Sequence, residues 1–283
     1  MSTVRRTYFY LVALIGLEVV VWGVINLART LFDILPGGGS ASMLAGGLSL
    51  IIVGLPIFLL HWHVLQREAN SDAEERNTRL RALFLYTARL ATLIPVVQNI
   101  GALLNRPLLN LMDQSTSLAL FGSGQIAADN LVAILANGIA FYYFERVLQN
   151  DWKLAHSPEN LTDTRRLYRY VWMLYTLILA TAGVIFTLRY ALYLSSGPNT
   201  ATTVWLANGL TLVLVYVPLW AWAWQTIEKT RKETGQYATT LRFAALYLLA
   251  LTGAFVTLGV SSSILADLLR ALLGEAVTLT SFL

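Results

Sequence analysis

Seven long apolar runs alternate along the chain with short segments that are charged or rich in glycine and proline. The runs cover residues 7–33, 43–66, 80–105, 126–148, 165–194, 201–228 and 240–271. A bilayer core of ~30 Å is crossed by about 20 helical residues, so every run is long enough to span a membrane. The pattern predicts an all-α, polytopic transmembrane helical bundle with seven spans.

The positions of the basic residues predict how these spans are oriented. Of the 20 lysines and arginines, fifteen lie in the N-terminal segment and in loops on the same side, whereas four lie on the opposite side. Lysine and arginine accumulate in cytoplasmic loops. We therefore expect a multi-pass protein of the cell's inner (plasma) membrane, with its N-terminus in the cytoplasm and its C-terminus outside.

The composition agrees with a protein that lies mostly in lipid. Apolar residues make up 56% of the chain and charged residues 13%, against about 45–50% and about 25% in soluble domains. We therefore expect a single membrane domain over residues 1–283. The sequence contains no cysteine, which excludes disulfides and thiolate metal sites. The basic loops adjoin helix ends and contain acids, so they indicate contact with anionic membrane lipids and no nucleic-acid partner.

An internal repeat groups the predicted helices into hairpins. Residues 44–66 align without a gap on residues 206–228 at an offset of 162. Eight aligned pairs are identical, and in the first segment they are Leu44, Ala45, Gly47, Leu48, Leu50, Val53, Pro56 and Trp62. Because each unit contains two spans, all units enter the membrane in the same direction and the repeat is parallel.

The repeat predicts four hairpin units, of which the last is incomplete. Their bounds are 1–75, 76–160, 161–238 and 239–283. The fourth unit has a first helix but no second one. We therefore expect either that another membrane subunit packs beside residues 240–271, or that the native chain continues into an eighth helix.

A short motif recurs in these hairpins. Arg6 and Tyr10 open the first hairpin as Arg-x-x-x-Tyr, and its second helix closes with Pro56 and Trp62. Three further arginines precede a tyrosine by four or five residues, namely Arg81, Arg166 and Arg242. The pattern resembles an uncharacterised family of bacterial integral-membrane domains of unknown function built from two-helix hairpins. The resemblance implies the architecture and no activity.

Two ionisable residues lie deep inside predicted spans. Glu18 lies ~16 Å into the first span and Arg89 ~13 Å into the third. Charges at membrane depth cost ~2.5–3.5 kcal/mol on insertion scales, so we expect the two to form an ion pair. The favoured interpretation is a pair that fixes how the first two hairpins dock, and the alternative is a proton or solute site.

A second group of polar residues in the spans consists of amides and one acid. Its members are Asn26, Gln98, Asn99, Asp129, Asn137 and Asn208. Amides at helix interfaces commonly hold helices together, each by ~0.6 kcal/mol. The repeat places Asp129, Gly46 and Asn208 at equivalent positions, so a polar vestibule at a common outer depth is the alternative interpretation.

His61 and His63 flank Trp62 at the inner end of the second span. Imidazole is an axial ligand of haem, which makes these residues candidate ligands of haem or another pigment. A bis-histidine site needs histidines on two facing helices, and no other span contains one. Interfacial histidines beside tryptophan are therefore favoured. All three lysines lie in predicted loops, which excludes a retinal Schiff base.

Two functions remain open at this point. The favoured one is a non-catalytic subunit or scaffold of a larger membrane assembly that contacts lipid or pigment, because few ionisable residues lie in the spans. The alternative is a transporter or channel for a small solute or proton that uses Glu18 and Arg89 in the bundle interior. No reactive set of side chains shares a common depth, so we do not expect an enzyme.

Overall fold

The computed structural model describes residues 2–34, 41–121, 124–155, 159–193, 199–234 and 240–274. These residues form seven long α-helices and one short one, without a strand among them. The helices are α1 (Thr3–Ile34), α2 (Ala41–Ser71), α3 (Ala73–Arg76), α4 (Arg79–Leu111), α5 (Ala127–Leu154), α6 (Glu159–Tyr193), α7 (Thr200–Thr234) and α8 (Thr240–Leu272). A 3₁₀ turn, Thr116–Leu118, lies between α4 and α5.

All seven long helices contain a stretch that is long and apolar enough to cross a membrane. The predicted all-α fold with seven spans is therefore confirmed, and the chain is a multi-pass membrane protein. Several helices extend past the predicted runs, and α7 continues to Thr234. Charged residues end an apolar run but do not end a helix, which explains the difference. The orientation of the spans stays a prediction.

The turn between α2 and α4 is fixed by two side-chain caps. Asp72 Oδ1 accepts a hydrogen bond of 2.8 Å from the backbone N–H of Glu74, and so begins α3. Thr78 Oγ1 accepts one of 3.4 Å from the backbone N–H of Arg81, and so begins α4. Such caps satisfy N–H groups that have no partner within the helix. The turn holds Glu75 and Arg81 close to the ends of α1 and α5.

Glycine allows α1 and α2 to approach each other closely. A Cβ added to Gly47 of α2 would lie 2.9 Å from the backbone nitrogen of Leu27 in α1. The equivalent Gly209 of α7 approaches α6 in the same way, since its added Cβ would lie 2.8 Å from the backbone nitrogen of Thr187. Small residues at such contacts are typical of membrane helices. Gly47 and Gly209 are 162 residues apart, so the two close contacts agree with the offset of the predicted repeat. The repeat itself stays a prediction.

The chain divides into two compact units, and the first comprises Met1–Tyr168. Here α1 packs along α2, α4 pairs with α5, and α1 also contacts α4 and α5. An aromatic cluster joins three of these helices, because the Trp62 ring centroid lies 5.3 Å from that of Phe84 and 5.5 Å from that of Phe144. Trp62 Nε1 also donates a hydrogen bond of 2.6 Å to the Tyr143 hydroxyl.

The second unit comprises Arg169–Leu283, so the division falls within α6. Helices α6 and α7 are joined by a hydrogen bond of 2.8 Å from Arg169 Nη1 to Thr230 Oγ1. In the apolar stretch of α8, Leu246–Leu272, the side chains that the structure describes are exposed or partly exposed, among them Leu251, Phe255 and Leu258. Exposed apolar side chains fit contact with lipid, and whether another subunit also packs beside residues 240–271 stays a prediction. The single-domain interpretation and the four unit boundaries are likewise untested.

Candidate functional site

A cavity of about 210 Å³ lies between α1, α4 and α5 in the first unit. We call it the Glu18 cavity. Its polar lining comes from Glu18, Arg29, Gln98, Asn99, Gln125, Asn130 and Asn137. Three of these are amides predicted from the sequence to lie inside the bundle. The structure therefore brings Gln98, Asn99 and Asn137 together around Glu18.

Glu18 lies at the middle of α1, fifteen residues after Thr3 and sixteen before Ile34. Arg29 lines the same cavity eleven residues further along, which corresponds to about 16 Å of helix. The cavity therefore runs from mid-helix towards the end of the bundle that carries Arg29. Among the described residues, Glu18 has neither an ion pair nor a hydrogen bond. Its carboxylate faces the cavity alone.

Hydrogen bonds hold the amides near the Arg29 end of this cavity. The buried Asn130 donates through Nδ2 to Asn99 Oδ1 at 2.8 Å and to Gln125 Oε1 at 3.1 Å. Its Oδ1 accepts from Arg106 Nη1 at 2.5 Å. Asn99 Nδ2 in turn donates to the Pro95 carbonyl at 2.8 Å. These bonds fix the orientation of the amides before any ligand arrives.

Asn137 lies on the same face of α5 as Asn130, two helical turns deeper and towards Glu18. Its Nδ2 donates to the Ala133 carbonyl at 2.9 Å. Among the described residues, no donor contacts its Oδ1. The inner part of the cavity therefore presents the Glu18 carboxylate and an amide oxygen, both of which accept hydrogen bonds. Such a lining suits a cation or a hydrogen-bond donor.

The predicted ion pair between Glu18 and Arg89 is wrong. Arg89 Nη1 lies 3.0 Å from Glu145 Oε2 of α5 instead. Its guanidinium carbon also lies 5.3 Å from the ring centroid of Phe141 and 4.9 Å from that of Tyr168. Depth along a helix does not decide which neighbour a side chain faces. Arg89 points to α5 and α6, whereas Glu18 faces the cavity.

A second cavity, of about 590 Å³, lies beside the first between α1, α2 and α5. We call it the Arg29–Asp129 cavity, and Asn26, Thr30, Gly46 and Met43 also line it. The predicted polar group thus divides, because Asn26 and Asp129 line this cavity and not the Glu18 cavity. Arg29 contributes to both.

The last member of the predicted group, Asn208, lies in the second unit. It is a buried residue of α7. The structure therefore does not bring it into either cavity, whose described linings belong to the first unit. The sequence allowed one polar vestibule. The structure has two cavities instead, and the buried Asn208 is in neither described lining.

The two histidines lie on α2 but are not equivalent. His61 Nδ1 hydrogen-bonds to the Ile57 carbonyl at 2.8 Å, and its ring centroid lies 5.7 Å from that of Tyr8 and 5.0 Å from that of Phe9. His63 is exposed. In the described residues, no three His, Asp or Glu side chains form a group that could hold a metal ion. Pigment binding here stays a prediction.

A buried ion pair that the sequence pattern does not predict lies at the opposite end of the bundle. Arg81 and Asp151 are each 2% exposed, and Arg81 Nε lies 2.7 Å from Asp151 Oδ2. Arg81 Nη2 also donates to Gln66 Oε1 at 2.7 Å. In the sequence, Arg81 belongs to the recurrent arginine–tyrosine motif and also adds to the basic residues on the predicted cytoplasmic side. Basic residues that set the orientation of spans can lie anywhere in a loop. The recurrent spacing between this arginine and a tyrosine could therefore have indicated a structural contact.

A second ion pair at that end joins the start of α1 to α3. Arg6 donates through Nε to Glu75 Oε1 and through Nη2 to Glu75 Oε2, both at 2.6 Å. Glu75 is only 3% exposed. The hydrogen bonds from Arg6 lower the pKa of Glu75 below its ordinary value, and burial opposes this effect. The two-point contact fixes α1 against the turn that precedes α4.

Seven long apolar helices define a multi-pass membrane protein, and the Glu18 cavity in its first unit has several polar side chains in its lining. The chain belongs to the family described as a domain of unknown function, DUF5671, which matches residues 6–141 and 166–283. The resemblance to an uncharacterised family is therefore confirmed. The two matched stretches begin 160 residues apart, close to the repeat offset. Neither a curated protein nor a solved structure matches the chain.

Proposed function

We propose that this protein is a transporter or channel for a small cationic solute, and that the Glu18 cavity is its binding site. The observation that carries the proposal is the Glu18 carboxylate, which lies at mid-helix, faces a polar cavity and has no partner among the described residues. An ionisable side chain is expensive at membrane depth and is therefore a functional candidate by default. Arg89 has no part in this site.

The size of the cavity limits the solute. A cavity of 150 Å³ holds benzene, so about 210 Å³ accommodates roughly eight heavy atoms. A monovalent cation with some of its waters, a proton carried by water, or a small amine fits this volume. Glu18 is the only acidic residue in the described lining, and it would provide the charge that such a solute needs.

The predicted orientation completes the proposal. The excess of basic residues supports a cytoplasmic N-terminus in the plasma membrane. With that orientation, the Arg29 end of the Glu18 cavity faces away from the cytoplasm, and a solute would enter from that side. We assign no reaction to the protein, because the cavity lining contains one carboxylate and amides but no nucleophile paired with a base.

Flux through reconstituted vesicles tests the proposal. The full chain is placed in lipid vesicles, and uptake of protons, sodium, potassium and methylammonium is measured for the wild type and for Glu18→Gln. We expect at least one cation to enter through the wild type and Glu18→Gln to slow its entry by about tenfold or more, as loss of a charged contact predicts. Glu74→Gln is the matched control, because Glu74 is exposed on α3.

Two results would contradict this function. The first is equal flux through Glu18→Gln and the wild type. The second is no cation flux above that of empty vesicles. Circular dichroism and gel filtration must show that Glu18→Gln folds like the wild type, so that a slower flux reports on the site alone.

A subunit or scaffold role is the second candidate, and α8 favours it. Besides exposed apolar side chains such as Phe255 and Leu258, this helix exposes the hydroxyl-bearing Ser261 and Ser262. Serine hydroxyls commonly form contacts between membrane helices, which suits a neighbouring membrane subunit. Gentle purification followed by mass measurement tests this role. A lone monomer that retains its lipids and full cation flux would argue against it.

A further inference from the structure

The Arg29–Asp129 cavity lies at the level where the helices end. Arg29 lies five residues before the end of α1, Asp129 two residues after the start of α5, and Gly46 five residues after the start of α2. At 1.5 Å per residue, all three lie within about 8 Å of a helix end. This level corresponds to the headgroups of a bilayer rather than to its hydrocarbon core.

Two opposite charges face this cavity, and in the described residues their side chains form no direct ion pair. Asp129 is 8% exposed, and its Oδ2 accepts a hydrogen bond of 2.8 Å from the backbone N–H of Ile126. Its Oδ1 is buried and has no hydrogen-bond partner in the described part of the chain. Arg29 Nη2 contacts the backbone carbonyl of Asp129 at 3.4 Å, and Arg29 Nε is buried without a partner among the residues that the structure describes.

The charges of the Arg29 guanidinium and the Asp129 carboxylate limit which ligand can satisfy both groups. An anion alone would leave the buried Asp129 oxygen unsatisfied, and a cation alone would leave Arg29 unsatisfied. A zwitterion satisfies both. We propose that this cavity binds the headgroup of a phospholipid that carries a primary amine, with its phosphate on Arg29 and its ammonium group on Asp129.

The surroundings of the cavity fit a lipid. Its volume of about 590 Å³ exceeds the Glu18 cavity and accommodates a phosphoethanolamine headgroup. Gly46 lines the opening, and a Cβ added there would meet nothing within 4 Å. Beyond it, α2 exposes apolar side chains along which acyl chains would lie, including Ile52 at 68% and Val53 at 60%.

Lipid titration of the purified full chain tests the proposal. Native mass spectrometry measures the binding of phosphatidylethanolamine, phosphatidylcholine and phosphatidylglycerol to the protein in detergent. We expect phosphatidylethanolamine to bind about tenfold more tightly than the other two, because only it offers N–H donors for Asp129 together with a phosphate for Arg29.

Two variants assign the contacts. Asp129→Asn keeps an oxygen for the Ile126 N–H and removes the charge, so it should abolish the preference for the amine-bearing lipid without unfolding α5. Gly46→Leu should block all three lipids while the fold persists, since its side chain enters open space. Asp113→Asn is the control, because Asp113 is an exposed acid in the loop before α5.

Three outcomes would overturn the proposal. One is equal binding of the three lipids by the wild type, and another is an unchanged lipid preference in Asp129→Asn. The third concerns the source of the headgroup. If soluble glycerophosphoethanolamine competes as tightly as the intact lipid, the cavity takes a free zwitterion and not a membrane lipid.

Discussion

The two ends of the first unit differ in whether their buried charged side chains form ion pairs. At the end that carries Arg6, each of two arginines contacts a carboxylate within 2.7 Å. At the end that carries Arg29, the guanidinium contacts only a backbone carbonyl, and one oxygen of the nearby Asp129 has no partner among the described residues. Glu18, in between, faces a cavity and has no ion-pair partner among the described residues.

This difference separates structural charges from charges that are available to a ligand. A buried ion pair with good geometry recovers much of the cost of removing its members from water, and it fixes which helices meet. An unpaired charge at membrane depth recovers nothing from the protein. Under the two proposals above, ligands offset the cost of leaving Glu18 without a partner in the bundle and Asp129 Oδ1 without one at the helix ends. The predictions below compare the two kinds of charge.

The largest effect is expected from Arg81→Met. This change leaves Asp151 buried and without its ion-pair partner, so it should lower the free energy of unfolding by roughly 3–5 kcal/mol. The double variant Arg81→Met with Asp151→Leu should recover most of the loss, because it removes both charges. Reversible unfolding in mixed micelles measures all three proteins. A single variant as stable as the wild type would show that this pair does not hold α4 to α5.

A smaller effect is expected from Arg89→Met. Arg89 and Glu145 are each 24% exposed, so their ion pair is partly screened, and the aromatic contacts of Arg89 disappear with it. We expect a loss of about 1–2 kcal/mol from these terms together. The same unfolding assay measures it. Arg146→Met serves as the comparison, because Arg146 contacts Tyr142 on the exposed surface of α5.

The sequence predicts the spans well because the cost of exposing polar backbone to lipid imposes their length. It also identifies Glu18 and three of the amides, since depth along a span can be counted from the sequence. Their arrangement around one cavity depends on which face of each helix meets which neighbour. A single sequence does not determine that face, and for this reason Arg89 was assigned the wrong partner.

The division of the polar group into two cavities was also beyond the sequence. Asp129 and Asn130 are adjacent in the chain, yet they line different cavities because successive helical residues point about 100° apart. Arg81 shows a second limit. Loop arginines that set orientation and arginines that are buried in ion pairs look alike in sequence, and only the three-dimensional contact with Asp151 distinguishes them.

Acid is expected to weaken the Arg6 contact by a modest amount. The pKa of Glu75 is lower in the folded protein than its ordinary value of 4.5, so the unfolded chain binds the proton more readily. The contribution to stability is therefore complete above pH 4.5 and disappears as the pH falls through the lowered folded-state pKa. It amounts to about 1 kcal/mol. Unfolding of the wild type and of Glu75→Gln between pH 3 and pH 7 measures it, and parallel pH profiles would contradict it.

The smallest change in stability is expected from Glu18→Leu, which removes the charge at the middle of α1. Glu18→Leu removes a carboxylate that has no described partner, so no opposite charge is left exposed by its loss. The free energy of unfolding should stay within about 1 kcal/mol of the wild type or rise, because an unpaired charge has been removed from the bundle. Cation flux should disappear in the same variant. A destabilisation comparable to that of Arg81→Met would instead mean that Glu18 has a structural role, and the contrast between paired and unpaired charges would fail.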